Sequence, residues 1–115
     1  MSGLTVYGIK SCDTCTKALK WLDEQGRPYR WHDLRGDGLE PPTVEAWLAA
    51  VGPKTLVNRR STTWRGLDES VRRAALDPGR AAAILLEFPT LIKRPVFVSG
   101  PSVLVGFNAT VRDSL

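Results

Sequence analysis

Tyr7-Gly8-Ile9-Lys10-Ser11-Cys12-Asp13-Thr14-Cys15-Thr16-Lys17-Ala18-Leu19 is the stretch from which the fold of this chain can be read. An apolar, β-branched run from Leu4 to Ile9 ends in polar residues, and a helical pattern follows at once. Cys15, Ala18, Leu19 and Leu22 recur at i, i+3, i+4 and i+7, the spacing of one buried helical stripe. Gly26 is placed to end that helix as a C′ glycine does. The pattern predicts a strand over Leu4–Ile9 and a helix over Asp13–Gln25. Cys12 falls at the start of the helix, where unpaired backbone N–H groups and the positive end of the dipole favour an anion. Thiols in such places titrate at roughly 3.5–7.5 rather than about 8.5. Lys10 and Lys17 add positive charge nearby. Cys12 is therefore the candidate nucleophile.

The second cysteine admits several readings. A C-x-x-C pair belongs to zinc chemistry, to redox chemistry, or to coincidence. Zinc needs about four ligands. Beyond Cys12 and Cys15 the chain offers one histidine, His32, so no metal site is expected. Cys15 lies on the apolar stripe and reads as a core residue or as a second redox thiol, and an internal disulfide with Cys12 is sterically allowed.

Outward from this stretch, the chain alternates periodic and irregular segments. Tyr29–Asp33 reads as a second strand after Gly26-Arg27-Pro28, which completes a βαβ unit whose crossover should be right-handed. Arg35-Gly36-Asp37-Gly38-Leu39-Glu40-Pro41-Pro42 is a loop by its local signals. Val44, Trp47, Leu48 and Val51 repeat the helical stripe, with Pro41-Pro42 at its start and Gly52-Pro53 at its end. Thr55–Leu67 lacks periodicity and is polar and basic. Asp68–Leu76 is weakly helical. Asp77-Pro78 predicts a helix start with Asp77 as N-cap, and Ala81, Ile84, Leu85 and Phe88 supply its buried face. Val96–Ser99 and Val103–Val105, joined by Gly100-Pro101-Ser102, read as a hairpin. A last helix is expected from Asn108. The order is β-α-β, a helical block, then β-β-α, an α/β layered domain.

Length and charge narrow the function classes. At 115 residues one domain is expected, large enough for a core without staples. No segment approaches the roughly 18 apolar residues that cross a membrane. Met1-Ser2-Gly3-Leu4 carries no signal-peptide pattern. With two cysteines, a reducing cytoplasm is the expected compartment. Sixteen Lys and Arg against twelve Asp and Glu make a mildly basic chain. The excess lies between Lys54 and Arg80, a solvated helical surface more than a partner face, and nucleic acid is not expected as a partner. His32 beside Asp33 reads as a hydrogen-bonded strand histidine. Trp21, Trp31 and Trp47 read as core or core-edge residues, and Trp64 as a lid or a packed loop anchor.

Three blocks together resemble the ArsC family, the glutaredoxin-linked arsenate reductases with their Spx and YffB-like relatives. They are Gly8-Ile9-Lys10-Ser11-Cys12-Asp13-Thr14, Leu56-Val57-Asn58-Arg59-Arg60-Ser61-Thr62-Thr63-Trp64-Arg65 and Pro89-Thr90-Leu91-Ile92-Lys93-Arg94-Pro95. The resemblance covers almost the whole chain and is strongest to the YffB-like branch. It implies a thioredoxin-like fold (βαβ…ββα) with a helical insertion at about residues 41–88, all within one domain spanning 1–115. It also implies Cys12 as the nucleophile and Arg94 as an arginine preceding a cis-proline, Pro95. A guanidinium offers a rigid donor fork suited to an oxyanion or a carboxylate.

The resemblance implies a thiol oxidoreductase that uses glutathione as co-substrate, with no bound cofactor and with glutaredoxin as a further partner. Cys12 and Arg94 would be catalytic. Cys15 would be a resolving thiol, and Lys10, Asn58, Arg59, Arg60, Arg94 and Pro95 would bind substrate or glutathione. Arsenate reduction is the first alternative. Against it, two of the three arginine positions that surround the oxyanion in arsenate reductases fall on Asn58 and Phe107, with Arg94 the third. The second alternative follows from the C-x-x-C, which Spx-type regulators use as a redox switch while binding RNA polymerase.

Overall fold

The computed structural model describes residues 3–115; the expectation about a leader falls partly on Met1 and Ser2, outside the described residues. The chain forms two compact units, residues 3–38 with Arg94–Leu115, and Leu39–Lys93.

The first unit is built on a four-stranded sheet. Its strands are β1 (Leu4–Gly8), β2 (Arg30–Asp33), β3 (Val96–Ser99) and β4 (Ser102–Val105), in the order β2-β1-β3-β4. β1 pairs with β2 in parallel, Gly8 opposite Asp33, and with β3 in antiparallel, Leu4 opposite Ser99. The parallel pair requires a crossover, and α1 (Asp13–Glu24) supplies it. β3 and β4 form the expected hairpin, with Ser99 paired to Ser102 across Gly100-Pro101. After the hairpin comes α7 (Ala109–Ser114), whose N-cap Asn108 accepts a hydrogen bond from Val111 N–H at 2.9 Å. With β-α-β followed by β-β-α around one mixed sheet, this is a thioredoxin-like fold.

The core of this unit joins alternate residues of the central strands to the helical stripe. Leu4, Val6, Ala18, Leu22, Phe97 and Val111 form one buried cluster. Burying a Leu or Phe side chain of this kind contributes about 1.5–3 kcal/mol. α1 ends as its sequence predicts. Gly26 takes φ +66°, its N–H bonds to Asp23 O at 3.1 Å, and Arg27 N–H reaches back to Leu22 O at 2.9 Å. That is the Schellman pair of bonds, and the left-handed residue it needs is the glycine.

The second unit is helical. α2 (Pro41–Val51) carries two prolines at its start and buries Val44 and Trp47. Two short turns, α3 (Pro53–Leu56) and α4 (Thr62–Arg65), occupy ground that the sequence marks as irregular, since four residues are too few for a period. α5 (Glu69–Ala75) follows Asp68, and α6 (Ala81–Glu87) buries Ala81 and Leu85. Asp77 is not the N-cap of α6; Arg80 is. The Asp77 carboxylate instead accepts from Gly79 N–H at 2.8 Å and its carbonyl from Ala81 N–H at 2.8 Å, so it heads a turn before the helix. A 3₁₀ turn over Pro89–Leu91 leads to an isolated antiparallel bridge between Val57 and Ile92. No helix among the described residues is long and apolar enough to cross a membrane.

Gly8 closes the account of how α1 seats on the sheet. A Cβ at this position would lie 2.5 Å from Cys15 Sγ and 2.9 Å from Cη2 of Trp31. No other residue type fits without moving the helix or the ring. Gly8→Ala is expected to destabilise the protein by about 1–3 kcal/mol through overpacking. A denaturant melt would register this as a lower midpoint at unchanged slope.

Candidate active site

Cys12 is the N-cap of α1, with extended backbone dihedrals of φ −85° and ψ 118°. The turn that delivers it is fixed on both sides. Cys12 N–H bonds to Ile9 O at 3.0 Å, and Cys12 O accepts both Thr16 N–H, at 3.0 Å, and the Thr16 hydroxyl, at 3.2 Å. The thiol is neither deeply buried nor fully exposed.

The environment of that thiol favours its ionised form. Partial burial pushes its pKa up, but the backbone N–H and thiol of Cys15 and the guanidinium of Arg94 push it down, and the net result lies below the ordinary thiol value. The Cys12 side chain makes no cap hydrogen bond of regular geometry. The Cys15 N–H is nevertheless near enough to stabilise negative charge on its sulfur, as a free N–H of the first helical turn does. Arg94 adds a hydrogen bond and a full positive charge.

Cys15 is the opposite case. It is 1 % exposed, and burial pushes its thiol up to about 12. The Ile9 backbone pulls the other way, while the neighbouring Cys12 sulfur raises it further. The two neighbouring thiols are thus driven apart in acidity, Cys12 lowered and Cys15 raised.

The other sequence-predicted residues divide between the two units. Arg94 is half-buried and Pro95 is buried, and the bond joining them is cis, as the resemblance implies. Pro95 O accepts Gly106 N–H at 2.9 Å. Lys10 is exposed and faces Asp33, whose carboxylate also accepts from the N–H groups of Arg35 and Gly36 at 2.8 and 3.0 Å. Asn58, Arg59 and Arg60 belong to the helical unit. There Asn58 organises its own loop. Its Oδ1 accepts Arg60 N–H at 3.1 Å, its carbonyl accepts the Ser61 hydroxyl at 2.9 Å, and its N–H bonds to Leu91 O at 2.7 Å. This is the Asx-turn use of asparagine. Arg59 and Arg60 are exposed.

Phe107, Trp64 and His32 each have a structural occupation. Phe107 packs edge-on to Trp21 at 5.8 Å between ring centroids and lies 6.3 Å from Phe97. It belongs to the packed edge of the core. Trp64 is a loop anchor: its N–H bonds to the Ser61 hydroxyl at 3.1 Å, and Arg72 lies over its ring while bonding to its carbonyl at 3.0 Å. His32 bonds through Nε2 to Gly38 O at 2.7 Å and leans on Tyr7, a structural histidine. Sequence reasoning missed Gly8 and Thr16. The signal for Gly8 was present, because a glycine at the end of a strand marks a close approach.

The model of the ArsC family matches residues 7–113 of this chain. The chain belongs to the ArsC family. The solved structure of a YffB protein superposes with a TM-score of 0.88 at 40% identity, covering 96% of each chain. A solution structure of an arsenate reductase (ArsC) related protein from Brucella melitensis gives a TM-score of 0.79 at 38% identity, over 97% of this chain and 92% of that one. An uncharacterized protein of Haemophilus influenzae is 49% identical over 91% of both chains. The global transcriptional regulator Spx of Enterococcus faecalis is 27% identical over 91% of this chain and 80% of its own length. The ArsC-family match thus includes both the Cys12 turn and the Arg94-Pro95 segment.

The rate of Cys12 alkylation by iodoacetamide should rise through an apparent pKa below that of a free thiol. Arg94→Ala should move that pKa upward, since it removes a cation and a donor from the thiolate. A profile centred near 8.5 in the wild type, or one unmoved by Arg94→Ala, contradicts this assignment.

Proposed function

We propose that this ArsC-family protein is a glutathione-dependent thiol oxidoreductase with Cys12 as its nucleophile. The observation that carries the reading is the convergence of the Arg94 guanidinium and the Cys15 N–H on the Cys12 sulfur. Both favour the thiolate, the form that attacks. The Cys12 thiolate attacks one sulfur of a disulfide, the S–S bond breaks, and the departing thiolate leaves with the electron pair. Cys12 is then held in a mixed disulfide.

Two thiols are candidates to resolve it. Cys15 adjoins Cys12, but its proton is held up to about 12. Once Cys12 is capped, its negative charge no longer raises Cys15, whereas burial still does. Attack on Cys12 by external glutathione avoids that remaining barrier, which favours glutathione as the reductant and leaves Cys15 as the slower resolving route. Arg94 then has a second use, as donor to a carboxylate of glutathione or to an oxyanion. No bound cofactor enters this scheme, glutaredoxin is its candidate electron-donor partner, and the glutathione-rich cytoplasm is its compartment. The roles of Lys10, Asn58, Arg59, Arg60 and Pro95 as glutathione contacts rest on the sequence blocks.

Arsenate reduction is the second reading, favoured by the Brucella melitensis relative at 38% identity. It is disfavoured by neutral Asn58 and by Phe107, which is committed to aromatic packing. Each charge-assisted contact so lost is worth about 1.5–3 kcal/mol to a small dianion. A regulator of the Spx kind, binding RNA polymerase, is the third; the C-x-x-C and the Enterococcus faecalis relative favour it.

Incubation with oxidised glutathione should add one glutathione to the protein by mass, an adduct lost in Cys12→Ser and reduced in Arg94→Ala. Arsenate turnover should be absent or feeble, and no polymerase subunit should be retained by the immobilised protein. Robust arsenate reduction, or polymerase capture altered by oxidation of Cys12 and Cys15, would replace this reading with the second or the third.

A further inference from the structure

A crevice of ≈ 320 Å³ opens beside α1. Ile9, Leu19, Tyr29 and Trp31 wall it, together with buried Cys15 and exposed Lys10. Thr16 completes the lining, and the same residue bonds through its hydroxyl to the carbonyl of Cys12. The Cys15 thiol touches the Cys12 thiol as well, so the crevice begins one sulfur away from the nucleophile. Of its residues, only Cys15 and Lys10 already have a place in the proposed function.

The lining specifies a kind of ligand. Two aromatic faces and two aliphatic side chains reward an apolar, planar group, and thiol sulfur against a ring edge is itself a favourable contact. Glutathione, a charged peptide, gains little from such walls. The charges along it differ. Asp23 helps to raise the pKa of the Tyr29 hydroxyl and so disfavours an anion there. The Lys10 ammonium is the cation of the lining. Asp33 faces Lys10, but the Asp33 carboxylate is shared among the N–H groups of Arg35 and Gly36, and an ammonium has three donors to distribute.

We propose that this crevice binds an aryl group, carrying an anionic substituent directed to Lys10, on the disulfide that Cys12 attacks. The inference rests on the thiol-oxidoreductase reading and names its substrate class. Cys12 thiolate bonds to the sulfur bearing the seated ring, the S–S bond breaks, and the second thiolate leaves with the electron pair. Glutathione thiolate then bonds to the Cys12 sulfur, or Cys15 does so after losing its proton to solvent, and the aryl thiolate is released.

The test compares single-turnover rates of Cys12 with three reagents, each divided by the rate with iodoacetamide. The reagents are 5,5′-dithiobis(2-nitrobenzoate), uncharged 4,4′-dithiodipyridine and aliphatic 2-hydroxyethyl disulfide. Aryl thiolates are intrinsically better leaving groups, so the readout is each variant's ratio relative to wild type. In Trp31→Ala the two aryl ratios should fall at least threefold more than the aliphatic one. Trp31 is part of the packing, so Thr16→Trp, which fills the crevice from an exposed position, is the companion variant with the same expected outcome. Lys10→Gln should lower the nitrobenzoate ratio at least threefold relative to the dithiodipyridine ratio. Differences smaller than threefold in folded Thr16→Trp overturn the aryl site, and in Lys10→Gln they overturn the role of the cation. Loss of low-pKa alkylation in the wild type would instead overturn the thiol-oxidoreductase reading itself.

Discussion

The close approach of α1 to β1 at Gly8 is the constraint from which the rest of the first unit follows. With no Cβ at Gly8, Cys15 Sγ and the Trp31 ring both reach the strand backbone, and Ala18 and Leu22 continue the same stripe into the core. Once the stripe is seated, the start of the helix can lie in only one place, the end of β1. Cys12 is thereby carried to a position where the free N–H groups of the first turn address its sulfur. The packing of a core cysteine and the acidity of a reactive one are thus consequences of a single contact.

The contrast between the two thiols follows from their depth. They are three residues apart on one turn and in contact, yet one is held below and the other far above the ordinary thiol range. Arg94 acts on both, but only Cys12 is near enough to the surface for the cation and N–H groups to outweigh burial. A helix turn that places one residue at the cap and the next cysteine on the buried stripe produces this asymmetry, with Arg94 as the cation. It also separates the roles the two sulfurs can take in disulfide exchange, since the more acidic thiol forms the attacking thiolate more readily.

The chain is similar both to a protein described as arsenate reductase-related and to one described as a global transcriptional regulator. In this chain Phe107, where the resemblance leads one to look for an oxyanion-binding arginine, is clasped between Trp21, Phe97 and the overlying Arg112. Asn58 spends its side-chain oxygen on the loop that carries Arg59 and Arg60. The aromatic ring and the amide each have a structural occupation, which explains how these positions can be neutral in a folded member of the family.

Features set by local sequence were legible from the sequence: the β1–α1 junction, the Schellman end at Gly26, the proline-led start of α2, the β3–β4 hairpin and the Asn108 cap. Each depends on residues within a few positions of one another, so pattern and turn chemistry suffice. The resemblance of the three sequence blocks supplied Arg94 as a partner of Cys12, which no local pattern reveals across the intervening chain. The four-residue turns α3 and α4 carry no period and were not legible. Asp77 has the composition of a cap, yet Arg80 is the N-cap of α6, and that choice depends on where the turn completes. Only the tertiary structure decided the strand order, the committed packing of Phe107, the contrast in acidity between Cys12 and Cys15 and the crevice beside them. The reason is the same for each: burial and the sum of distant charges are properties of what the chain packs against, and a sequence states that only through a fold.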